Sequence, residues 1–150
     1  MAEFTYNPIQ VVQPNQPVIL NDSIRCQKGY VIHRNESGLV TLRGIVNNAC
    51  GCFARYQVTF NGNIAVPTGT AVSPIAVSLA ISGEPILTSK AIVTPAAVED
   101  YFNVTSTAII TVPRGCCFNV SVENTSDIPA GGVAPAIEVQ NTSLTVTRIA

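Results

Sequence analysis

Between Ile75 and Ile81 the chain alternates without a break: Ile75, Val77, Leu79 and Ile81 have one parity, and Ala76, Ser78 and Ala80 the other. Side chains of a strand point alternately to its two faces, so this is a half-buried β-strand with a small-residue outer face, as a face covered by a neighbour would have. Ser82-Gly83-Glu84-Pro85 then supplies a turn. The same pattern recurs. Gln27–Arg34 and Leu39–Ile45 flank Asn35-Glu36-Ser37-Gly38 as a hairpin. Phe53–Phe60 alternates and is followed by Asn61-Gly62-Asn63, which reads as a turn. Thr107–Val112, Phe118–Val122 and Ser143–Ile149 complete the set. Pro95–Tyr101 is the one candidate helical turn, and Asp127–Pro135 reads as a loop. Many short strands with Gly and Pro punctuation specify an all-β chain, an antiparallel β-sandwich or barrel. Its expected core is Tyr56, Val58, Phe60, Ile75, Val77, Leu79, Ile81, Phe118, Val120 and Val122.

The 150 residues suffice for one domain, divided here into an extended N-terminal arm, residues 1–17, and a sandwich, residues 18–150. The arm contains Pro8, Pro14 and Pro17, and its large apolar side chains Phe4, Tyr6, Ile9, Val11 and Val12 are candidates for docking on a partner. Such a segment is expected to be disordered alone and ordered on binding. Met1–Asn15 shows no basic flank or apolar stretch of the kind a secretory signal carries.

Charged residues are 11% of the chain, against roughly 25% in typical soluble proteins. The net charge is −1, and the eight Lys and Arg are scattered, so the sequence carries no nucleic-acid footprint. No run approaches the roughly 18 apolar residues of a spanning helix, and no membrane partner is expected. A surface so poor in charge does little to resist association, which favours self-assembly.

Catalytic residues are poorly supplied. His33 is the only histidine and lies on an expected strand, and neither Gly-x-Ser-x-Gly nor His-Glu-x-x-His occurs. No enzyme activity and no cofactor are expected. The five cysteines are Cys26, the Cys50-Gly51-Cys52 pair and vicinal Cys116-Cys117. Neither spacing matches the C-x₂₋₄-C of zinc sites, and an odd number excludes complete pairing within the chain. The main expectation is reduced, mostly buried thiols acting as small hydrophobes. One or two disulfides and a metal site assembled from distant loops are the alternatives. If a disulfide forms, Cys26 with Cys50 or Cys52 is the easiest pairing, since these residues end adjacent expected strands.

The order of elements also carries a resemblance. A hairpin is followed by a Gly-aromatic strand (Gly51, Phe53, Tyr56, Phe60), then by Val77-Ser78-Leu79 leading to Gly83. Val112-Pro113-Arg114-Gly115 opens a further strand, and an apolar strand ends the chain. This resembles the trimeric jelly rolls of the tumour-necrosis-factor and complement globular-head superfamily, over about Gln10 to Ala150. Cys50 and Cys52 have no counterpart in that pattern, and Leu144, Val146 and Ile149 replace its usual Phe-containing last strand. The start at Pro8, the stretch Gly62–Pro67 and Val112–Cys117 are similar to stand-alone jelly-roll proteins among virion structural proteins of tailed bacteriophages. The resemblance implies a homotrimer acting as a capsid decoration or head-fibre protein on the virion surface, with the major capsid protein or another virion structural protein as partner. The alternative it leaves is a receptor- or carbohydrate-binding trimer of a phage fibre or of a bacterial cell or spore surface.

Overall fold

The computed structural model describes residues 1–24, 29–34, 36–44 and 51–150, with side chains from 22 to 24 left aside. Twelve strands are present among them: β1 (Ala2–Tyr6), β2 (Gln10–Val12), β3 (Asn21–Ile24), β4 (Val31–His33), β5 (Val40–Arg43), β6 (Phe53–Ala65), β7 (Ile75–Ile81), β8 (Glu84–Pro85), β9 (Ala91–Val93), β10 (Phe102–Pro113), β11 (Cys117–Asn124) and β12 (Ile137–Arg148). They form two six-stranded antiparallel sheets. The first runs β10-β6-β12-β1-β3, with β2 also on β12. The second runs β4-β5-β11-β7-β8, with β9 also on β7.

Alternation explains the sandwich. In β6, Ala54, Tyr56, Val58, Phe60 and Ile64 point inward and are fully buried, while Phe53, Arg55 and Gln57 face out. In β7 and β11, Ile75, Val77, Leu79, Val120 and Val122 supply the opposing layer, also fully buried. Of the ten expected core residues, only Ile81 and Phe118 are partly buried, at its margin. The turn after β7 has positive φ at Ser82 (51°) and Gly83 (83°), as a tight right-twisting hairpin demands.

Three expectations are corrected. Asn61-Gly62-Asn63 is no turn: β6 runs straight through it to Ala65. The Asn61 carboxamide accepts from the Thr105 hydroxyl at 3.1 Å, and Asn63 accepts from Asn103 at 3.1 Å, so these turn-forming side chains instead serve a cross-strand ladder. Gly62 lies beneath the Phe60 ring and Thr142, where an added Cβ would meet both at 3.0 Å. The helical turn expected at Pro95–Tyr101 is an irregular turn; a short 3₁₀ turn forms at Leu87–Ser89 instead, where Ser89 Oγ accepts from the Leu79 amide at 2.9 Å. The small outer face of β7 is already sheltered within one chain, with Ala76, Ser78 and Ala80 at 2%, 0% and 0% exposure. Its small side chains therefore need no neighbouring molecule to explain them.

The N-terminal residues are not a separate arm. β1 is an interior strand, pairing with β12 from Ala2↔Val146 to Tyr6↔Thr142 and with β3 on its other side. Ala2 and Phe4 alternate with Glu3 and Thr5, and Phe4 is 2% exposed. Its ring packs 4.6 Å from the His33 ring of the opposite sheet, and His33 Nε2 lies 2.8 Å from the Ser37 carbonyl. The lone histidine thus belongs to the packing between layers.

Leu79→Ala is expected to cost about 2–5 kcal/mol and Phe4→Ala about 3–5 kcal/mol, as buried side chains do. Denaturant unfolding checks both. A Phe4→Ala loss within experimental error would show that β1 is dispensable.

Candidate functional site

Of the five docking candidates, the structure divides inward from outward. Phe4 and Val12 are core residues, and Tyr6 is half-buried. Ile9 and Val11 are 57% and 56% exposed. They flank Gln10, whose carboxamide donates to the Ile19 carbonyl at 3.0 Å and accepts from the Ile19 amide at 2.9 Å. That paired bond holds Ile19 beside Gln10, and Ile9, Val11 and Ile19 are the exposed apolar side chains around β2. Their signal in the sequence was the alternation around Gln10, obscured by the neighbouring prolines.

The thiols differ from expectation. Cys52 and Cys117 are exposed and Cys116 is half-buried, all three free. Cys26 and Cys50 lie outside the described residues, and the Cys26 pairing with Cys50 with them. The other pairing, Cys26 with Cys52, also falls on Cys26 and so lies outside the described residues. Cys52 and Cys116 are brought to one end of the sandwich by two backbone bonds: the Arg114 amide donates to the Cys52 carbonyl at 3.0 Å, and the Gly44 amide donates to the Cys116 carbonyl at 2.9 Å. A Cβ on Gly44 would meet the Pro113 carbonyl at 2.2 Å, so only glycine permits that approach. Strand alternation at a hairpin end turns Cys117 outward and leaves Cys116 half-buried. Among the described residues no group of three or more His, Cys, Asp or Glu could hold a metal ion.

The outer face of the first sheet is open. Gln57, Thr59, Asn61 and Asn63 of β6 stand beside Asn103, Thr105, Thr107, Ile109 and Thr111 of β10, and Ser143, Thr145 and Thr147 of β12 lie on the other flank. Hydroxyl–amide and hydroxyl–hydroxyl contacts lace the rows, including Thr107 to Thr59 at 3.2 Å. Charge is confined to the margins, at Arg55, Glu138 and Glu3. Ile109, in the middle of its strand, is 62% exposed. Composition anticipated an uncharged surface; strand register puts it on one plane.

Among the described residues two ionisable groups are perturbed. Glu123 of β11 is 7% exposed, and burial raises its carboxyl above the usual range although the Ser121 hydroxyl donates to it at 3.2 Å. The Tyr101 hydroxyl donates to Glu138 at 2.7 Å, and burial, that bond and the charges of Glu138 and Glu99 push its pKa to about 12.

No protein-family model matches the chain, and no curated protein does. Among solved structures, the globular domain of a zebrafish complement 1qA protein is similar with a TM-score of 0.59 and 15% identity, over 99% of this chain and 97% of that one. The CBM22-1 xylan-binding domain from Paenibacillus barcinonensis Xyn10C has a TM-score of 0.35 and 10% identity, over 99% and 87% of the two chains. The CBM35 from Cellvibrio japonicus Abf62 has a TM-score of 0.29 and 15% identity, over 94% and 97%. The last two are too distant to carry an argument. With the first, the two antiparallel sheets show a jelly-roll fold like that of the complement 1qA globular domain.

Because folding raises the Glu123 pKa, the proton favours the native state. That contribution is present below the unfolded pKa and lost as pH rises through the folded value. Glu123→Gln is therefore expected to stabilise the protein at pH 7, with the difference shrinking as pH falls from the raised folded value toward the ordinary glutamate value of 4.5 and gone below it. Thermal unfolding across pH checks this.

Proposed function

We propose that this chain is a structural display protein, a homotrimeric capsid decoration or head-fibre protein carried on a virion surface. The observation that carries the reading is the open face of β10-β6-β12, wide, uncharged at its centre and exposing Ile109. A plane of Thr, Asn and Gln with exposed Ile109 on its edge strand loses little by leaving water, because no charge is desolvated and each polar group can find a partner in a facing copy. A ring of three around this face needs only heterologous contacts that close. The jelly-roll fold and the sequence resemblance to virion jelly rolls support the same assignment.

Attachment to the particle runs through the exposed apolar side chains of Ile9, Val11 and Ile19. Phe4 and Val12 have no part in it, since both fill the core. The partner is the major capsid protein or another virion structural protein.

Light scattering is expected to give three chains, and Ile109→Arg to give monomers with unchanged circular dichroism. A monomeric wild-type protein would overturn the threefold reading. Ile9→Asp with Val11→Asp is expected to leave the trimer intact and to abolish its binding to purified particles lacking it. Undiminished binding would overturn the docking residues, and no binding even by wild type would overturn the virion assignment.

A further inference from the structure

Eight basic and nine acidic residues nearly cancel in the sequence, but the fold separates many of them along the strand direction. Register sets Arg43 opposite Cys117, Arg55 opposite Thr111 and Arg148 opposite Tyr56, and Arg114 lies in the β10–β11 turn at the same end. The two sheets are joined here by the Gly44–Cys116 and Arg114–Cys52 backbone bonds and by the Tyr56 hydroxyl, which donates to the Arg43 carbonyl at 2.5 Å. The guanidinium of Arg55 stacks 4.7 Å from the Phe53 ring and that of Arg148 4.3 Å from the Tyr30 ring, so both are held in place. Among the described residues neither Arg43 nor Arg55 has a carboxylate within ion-pair distance. The acids on neighbouring strands toward this end are Glu84, in the β7–β8 hairpin beside Val120, and Glu3 of β1, so the arginines outnumber them.

The other end is acidic. Glu138 is opposite Ala65 and Phe102 opposite Ile64, which gathers Glu99, Asp100 and Glu138 around Tyr101. Asp127, also nearby in the β11–β12 connection, is neutralised by Lys90 at 2.8 Å. From Arg55 to Ala65 is ten residue steps, roughly 33 Å at about 3.3 Å each. That is several Debye lengths in ordinary salt, so each end presents its own field.

We propose that copies of this protein associate end to end, the arginine end of one seated on the Glu99–Asp100–Glu138 end of the next. The occupant follows from complementarity, since the chain carries both halves of the contact. Such a contact is heterologous and does not close, so it builds strings. Exposed ion pairs are weak and screened by salt, which makes the association visible at low ionic strength. It does not depend on the threefold reading, because the polarity belongs to a single chain.

Sedimentation in 10 mM and 1 M salt tests this, with a weight-average mass at least about twofold higher at 10 mM expected. Arg43→Glu with Arg55→Glu, and separately Glu99→Lys with Asp100→Lys, are each expected to keep the high-salt mass at 10 mM. An equal mixture of these two folded variants is expected to regain the larger mass, since each then meets its complement. A wild-type mass independent of salt, variants that associate like wild type, or a mixture that stays small would each overturn the proposal. The mass in 1 M salt reports separately on whether the unit is three chains or one.

Discussion

The two ends of the chain meet in one ladder, and the rest of the structure depends on it. β12 is paired with β1 along one edge and with β6 along the other. Neither the closed core nor the flat outer face exists until the last strand has joined the first. Pairing so distant in sequence is reached late and at high loop-closure cost, which is repaid only by burying Phe4, Phe60, Leu144 and Val146 together.

That dependence decides what can serve as an interface. In the second sheet the outward Ala76, Ser78 and Ala80 are sheltered and Glu123 is buried, and its exposed apolar side chains, Ile32 and Ile92, stand on the short outer strands β4 and β9. The first sheet leaves a polar plane open, with charge pushed to its margins. Low charge content, which in the sequence is only a bulk property, thus becomes a local one through strand register. The same register collects arginines at one end and carboxylates at the other, which is why a chain of net charge −1 is electrically polar.

Much of this was legible beforehand. Ile75–Ile81 declared its strand, its buried face and its turn, because alternation and a Ser-Gly corner are local signals. Asn61-Gly62-Asn63 misled for an equally physical reason: turn-forming side chains can instead be spent on a cross-strand ladder, and only the partner strand β10 decides between the two. Residues 2–6 also carry alternation, in Ala2 and Phe4 against Glu3 and Thr5, but Pro8, Pro14 and Pro17 drew the reading toward an arm. The open face and the charge polarity could not be read from the sequence, since both arise from registers between strands far apart in the chain.

The central claim is that the β10-β6-β12 face is an interface between copies. A crystal structure of the assembled protein tests it most directly. The account predicts a threefold axis with Ile109, Thr107 and Gln57 of each protomer buried against its neighbours. A structure in which Ile109 remains in solvent, with copies meeting through the second sheet or not at all, would contradict it.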